Sequence, residues 1–143
     1  VVMERDVIKE LNTFLEGNYM AIRAYEQYID RVDDLKIKQV LQEIQHNHKR
    51  HAALVAERIQ NLGGIPVDDV GFMGKMAQFF STLKGKTDDP THILKDAVAG
   101  EQRGIEKSKE LLDGDLDPES LALVKRILDT DQQHVTLLNQ LLH

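Results

Sequence analysis

Six residues combine side chains able to hold a divalent cation with positions where an amphipathic helix should be apolar: Asn18, His48, His51, Glu101, Asp131 and His134. His48 and His51 interrupt a stripe of Ile37, Leu41, Ile44, Val55 and Leu62, whose three- and four-residue spacing marks one helix face. Asp131 and His134, each 83 residues further on, interrupt a stripe of Leu121, Val124, Ile127, Leu138 and Leu141 in the same way. Asn18 and Glu101, also 83 apart, interrupt two further stripes. A carboxylate or unpaired imidazole in an apolar core is costly unless something satisfies it. One divalent cation would do so for the whole set, because imidazole and carboxylate suit iron, manganese and zinc, and residues at i and i+3 can converge on one ion. A polar cluster paired within itself, for example Asp131 with a protonated histidine, is the alternative and stays open.

Such residues need elements that bring them to one height. Apolar positions at Leu11, Leu15, Ile22, Tyr25, Ile29 and Val32 predict a helix over about 6–33, and the His48 stripe a second over about 35–62, ended by Gly63-Gly64. Stripes through Leu94, Ala97, Ile105 and Leu112, and from Leu121 to Leu141, predict helices over about 91–113 and 118–142, with Pro90 and Pro118 suited to first turns. The short links within each pair imply two antiparallel hairpins. At about 1.5 Å per residue from its turn, Asn18 lies about 24 Å and His48 to His51 about 21–26 Å along the first hairpin. Glu101 lies about 21 Å and Asp131 to His134 about 24–29 Å along the second, the same level to within about one turn. Between the hairpins, residues 63–90 mix Gly and Pro breakers with Phe72, Met73, Met76, Phe79, Phe80 and Leu83. They predict a long crossover with a short helix over about 71–84 packed on the bundle.

The offset of 83 holds without a gap: Gly17 meets Gly100, Ile22 meets Ile105, Ile44 meets Ile127 and Val55 meets Leu138. Chance aligns apolar stripes readily, but here three off-pattern residues fall on three others, which is the signature of an internal repeat. The paired glycines suggest close helix approach or access for a small molecule at that level, with simple packing equally open. Tyr25, two turns beyond Asn18, could give the site a hydrogen bond or an electron, or sit in the core with its hydroxyl satisfied. His46 is a decoy: Glu43 and His46 have ligand spacing, but Ile44 marks the core side and His46 lies about 200° round the helix from it. His92 is assigned to the solvent-facing start of its helix and His143 to a frayed end.

With 143 residues, 29% charged and 41% hydrophobic, the chain is expected to form one globular domain with a real core. A net charge of −6 with interspersed basic residues argues against a nucleic-acid surface. There is no cysteine, which removes disulfides, thiolate ligands and cysteine nucleophiles. No apolar run approaches the roughly 18 residues needed for a membrane span, and Val1-Val2-Met3 begins no signal-peptide pattern. A cytoplasmic protein without membrane partners is the expectation, and whether Val1 and His143 are natural termini is left open.

The segments Gly17-Asn18-Tyr19-Met20-Ala21 through Tyr25, His51-Ala52-Ala53-Leu54 to Leu62-Gly63-Gly64, Ala99-Gly100-Glu101 and Asp131-Gln132-Gln133-His134 resemble the four helices of the ferritin-like and rubrerythrin-like superfamily. With its Phe- and Met-rich crossover, nearly the whole chain is similar to a bacterial ferritin-like family of unknown function. The resemblance implies an all-α, ferritin-like four-helix bundle of two helical hairpins joined by a long crossover. It also implies a metal site in which each hairpin gives a glutamate and a Glu-x-x-His pair. By position these are Asn18, His48 and His51, then Glu101, Asp131 and His134, so four carboxylates have become two. The expectation is therefore one divalent ion, iron or zinc, rather than two, held by His48, His51, Glu101, Asp131 and His134 with Asn18 as weak ligand or hydrogen-bond partner. Oxidase, peroxide-handling, oxidative-stress or metal-handling chemistry is implied by the resemblance alone. A homodimer is a further partner such bundles allow. A stress or interaction bundle whose metal-free polar cluster is a relic is the second reading.

Overall fold

The computed structural model describes residues 4–81 and 89–143, and its secondary structure is entirely helical: α1 Glu4–Arg31, α2 Leu35–Asn61, α3 Asp69–Ser81, α4 Pro90–Leu112 and α5 Pro118–Leu142. The all-α architecture is the expected one. α1 packs along α2 and α4 along α5, and the two hairpins meet through α1 on α4 and α2 on α5.

Local chemistry sets the helix ends. The Asp34 side chain accepts the N–H of Ile37, that of Asp89 the N–H of Thr91, and that of Asp117 the N–H of Ser120, so each satisfies a donor the first helical turn would leave orphaned. α1 stops at Arg31, short of the expected 33, because Asp34 must leave helical geometry to cap α2 while Val32 turns into the core at 1% exposure. α2 ends as its glycines imply: Gly63 takes φ 87°, its N–H donates to the carbonyl of Gln60, and that of Gly64 donates to Ile59. α3 begins earlier than expected, at Asp69, because the Asp68 carboxylate accepts from Val70 and Gly71. The expected last residues of this helix, 82–84, lie outside the described residues.

The crossover is strapped to α1. Asn12 donates to the Ile65 carbonyl at 3.1 Å and accepts from the Val67 N–H at 2.7 Å, and the Tyr19 hydroxyl donates to the Val67 carbonyl at 3.3 Å. Phe72 is buried with its ring 6.2 Å from that of Tyr19, and Arg23 Nε lies 3.5 Å from Met73 Sδ. These contacts account for the expected packing of Phe72 and Met73; the side chains of Phe79 and Phe80, and Leu83, lie outside the described residues.

Two apolar clusters fill the bundle. One gathers Val7, Leu11, Leu15, Val55, Ile59, Val124 and Ile127 with their neighbours, the other Tyr25, Val32, Leu41, Ile44, Leu94, Ala97 and Leu138. In sequence, every one of the six off-pattern residues falls between members of the first cluster and members of the second. A polar layer thus divides the core.

Beyond the first cluster a clamp joins the hairpins. Arg58 of α2 donates to Asp117 Oδ2 at 2.8 Å, Glu119 Oε2 at 2.9 Å and Ser120 Oγ at 3.0 Å, all at the start of α5. Burial opposes ionisation of Asp117, but the bonds from Ser120 and Arg58 outweigh it and hold its carboxyl below the ordinary 3.8. That stabilisation is complete above about pH 4 and is lost as pH falls through the lower folded value. Arg58→Ala should cost about 2 kcal/mol, the scale of hydrogen bonds to charged groups, in urea denaturation at pH 7. Its deficit should shrink on acidification.

Candidate metal centre

His48 and His51 lie one turn apart on α2, Asp131 and His134 one turn apart on α5, Glu101 on α4 and Asn18 on α1. Five of the six are buried, at 1–7% exposure, and the Asp131 side chain is 13% exposed. His48, Glu101, Asp131 and His134 each offer a donor atom, and the four atoms lie within 4.8 Å of one another. His51 joins from the side, its Nδ1 3.8 Å from Asp131 Oδ1. Asn18 Nδ2 donates to the Phe14 carbonyl one turn back, so only its oxygen is left to serve as an acceptor or ligand.

The two carboxylates are in opposite states. Glu101 Oε1 accepts from the Tyr25 hydroxyl at 2.8 Å and bonds His48 Nε2 at 2.7 Å. Asp131 Oδ1 has no hydrogen bond, yet lies 3.5 Å from His134 Nδ1 and 3.8 Å from Nδ1 of both His48 and His51. Among the described residues seven buried side-chain atoms lack a hydrogen-bond partner, and these three Nδ1 atoms and Asp131 Oδ1 are four of them. Buried polar atoms are nearly always paired, so four orphans facing one another point to a shared ligand. His134 Nδ1 is also 3.3 Å from Glu101 Oε1, but without the alignment a hydrogen bond requires.

Electrostatics follow this division. Burial opposes ionisation of Glu101, and the His134 and His48 rings overcome it, bringing its pKa down to about 2. Burial raises that of Asp131 to about 6, with Glu101 adding to the rise against the pull of His48 and His134. His48 is held down by burial and lifted, on balance above its ordinary value, by the Glu101 hydrogen bond and charge and by Asp131. His51 falls to about 4 through burial and the repulsion of His48 and His134. Tyr25 is pushed well up by burial and by the Glu101 charge, which keeps its proton as a donor to that carboxylate.

Sequence reasoning did not find Asn47, whose side-chain amide lies 3.1 Å from His134 Nε2 and turns the other ring nitrogen to the cluster. Asn47 is off the apolar stripe, and only its place beside His48 hints at it. Both readings of Tyr25 meet in one residue, 3% exposed in the core and bonded to Glu101. His46 and His92 are exposed, as assigned.

Close helix approach does not explain the paired glycines. A Cβ on Gly17 would meet nothing within 4 Å, and one on Gly100 only the end of Arg103 at 3.9 Å. Gly17→Ala and Gly100→Ala should each stabilise the bundle by about 0.5–1 kcal/mol in urea denaturation.

Residues 6–114 match the family described as "Domain of unknown function (DUF2383)". The chain belongs to the DUF2383 family. No curated protein matches it. Solved structures resemble this DUF2383 chain in fold. A dodecameric thioferritin, the bacterioferritin-related protein of Bacteroides fragilis, is 22% identical with a TM-score of 0.80 over 97% of this chain and 85% of its own. The Desulfovibrio desulfuricans bacterioferritin, which has a diiron site, is 24% identical with a TM-score of 0.78 over 97% of this chain and 79% of its own. A two-domain Anabaena variabilis protein with DJ-1/ThiJ/PfpI-like and ferritin-like domains is 23% identical with a TM-score of 0.79. That match takes in 98% of this chain but only 36% of the Anabaena protein. The fold is therefore ferritin-like. Among the described residues no helix is long and apolar enough to cross a membrane.

Proposed function

We propose that this DUF2383 chain is a metal-binding ferritin-like protein that holds one divalent ion, iron or zinc, in its polar layer. The ligands are drawn from His48, His51, Glu101, Asp131 and His134, with Asn18 beside them. The observation that carries this reading is the convergence of three orphaned Nδ1 atoms on the orphaned Asp131 Oδ1. Donors about 2.1 Å from one four-coordinate ion lie about 3.4 Å from each other, and the observed spacings to Asp131 are 3.5–3.8 Å. Charge favours one ion over two: the carboxylates of Glu101 and Asp131 neutralise one divalent cation, and a second would leave two positive charges buried. Imidazole-rich donors favour iron or zinc over magnesium or calcium. When bound, such an ion supplies Lewis-acid or, for iron, one-electron chemistry. Its role is in metal handling or oxidative stress in the cytoplasm, and a homodimer suits the bundle.

Elemental analysis of untagged protein purified without chelator tests this. Wild type should carry one equivalent of iron or zinc, and His51→Ala with His134→Ala should carry almost none. Wild type with far less than one equivalent, or no difference between the two proteins, would sink the reading.

A further inference from the structure

We propose that Glu101 is a positioning residue that aims His48 at the ion and is not itself a ligand. The inference rests on the single-ion reading above. Glu101 stands where the ferritin-like pattern has a metal-binding glutamate, but its oxygen facing the cluster is already occupied. Oε1 takes the Tyr25 hydroxyl from α1 and His48 Nε2 from α2, using both of that oxygen's acceptor positions. To bind an ion through Oε1, Glu101 would have to release one of these bonds, leaving either Tyr25 or His48, each 3% exposed, without its partner. An ionised carboxylate only accepts, so its bond at 2.7 Å requires the proton of His48 to sit on Nε2. In the neutral ring Nδ1, which faces Asp131 Oδ1 at 3.8 Å with no partner, then has the lone pair to offer an ion. A metal-binding histidine whose other ring nitrogen is held by a carboxylate is fixed in tautomer and orientation. Asp131 has the opposite environment, with an oxygen that accepts nothing and three Nδ1 atoms around it.

The experiment is titration of the purified chain with Co2+, read by stoichiometry and visible absorption, alongside 15N NMR of the histidine rings in the metal-free protein. Glu101→Gln keeps a carbonyl oxygen for His48 and Tyr25 while removing the charge that a ligand would need. It should still take up one cobalt with the wild-type absorption bands, at an affinity lowered by the missing charge, whereas Glu101→Ala, which also loses the orienting bond to His48, should bind about 10–100-fold more weakly again, the usual effect of losing a ligand's orienting partner. Asp131→Asn should not bind. His48 should be protonated on Nε2 in wild type and Glu101→Gln and should lose that preference in Glu101→Ala, a change that a merely structural role would not produce. Loss of cobalt by Glu101→Gln to the extent seen for Asp131→Asn, altered bands in Glu101→Gln, or a wild-type His48 protonated on Nδ1 would each overturn the positioning role while leaving the metal reading intact. A wild-type chain that takes up no cobalt overturns both.

Discussion

Asp131→Asn is expected to leave the metal-free protein at least as stable as wild type and to abolish the stabilisation that a divalent ion gives. The carboxylate adds little to the metal-free fold: its inner oxygen accepts no hydrogen bond, and burial pushes its pKa up to about 6. An asparagine of the same shape removes that buried charge and can offer an N–H to a neighbouring imidazole. With an ion at 100 times its dissociation constant, wild type should gain about 2.7 kcal/mol. At about 2–4 °C per kcal/mol for a chain of this size, Tm should rise by roughly 5–10 °C, and the variant should show no shift. Thermal denaturation with chelator and then with zinc measures both halves. Heavy destabilisation of metal-free Asp131→Asn would mean that the histidines need the aspartate charge, which is the self-paired cluster. A full zinc shift in the variant would put Asp131 outside the ligand set.

The position of the layer was legible in the sequence because a regular stripe exposes its exceptions. His48, His51, Asp131 and His134 stand out only against Leu41, Ile44, Val124 and Ile127, and the offset of 83 brings Asn18 and Glu101 to the same level. His46 could be set aside by the same geometry. What a stripe encodes is a face, not a ring nitrogen or a partner. Nothing in the spacing of Glu101 and His48 tells that Oε1 of one carboxylate holds two hydrogen bonds and Oδ1 of the other none, because that depends on how two hairpins meet. Arg58 and Asn12 were illegible for a related reason. Each is a polar residue at the edge of a helix, and its partners lie across the chain, at Asp117 to Ser120 and at Ile65 to Val67. The crossover was legible as a crossover from its breakers, but its path along α1 was not, since backbone carbonyls that accept from Asn12 and Tyr19 carry no residue signature.

Replacing the hydrogen-bonded centre of the layer as a unit should stabilise the metal-free bundle, although replacing Glu101 alone should damage it. In Glu101→Met alone, His48 Nε2 and the Tyr25 hydroxyl lose their common acceptor inside the core. Breaking a buried ionic pair on one side in this way costs about 3–5 kcal/mol. In Tyr25→Phe, His48→Leu, Glu101→Met, Asp131→Val and His134→Leu together, the hydroxyl, both carboxylates and the two imidazoles nearest Glu101 leave at once, and only the His51 ring and the Asn47 amide lose a neighbour. The apolar clusters around Ile127 and Ile44 then become one core. Exchanging a buried ionic network for apolar residues of similar volume is commonly neutral or favourable by about 1–4 kcal/mol. Because these residues touch one another, the single effects should not add, and the gap between the single and the fivefold variant measures their coupling. Urea denaturation in chelator gives both values. A fivefold variant less stable than wild type would show that the hydrogen bonds of the layer hold the bundle together. A more stable one that binds no metal means that the layer lowers the stability of the metal-free fold, which is what a site kept for its ligand should do.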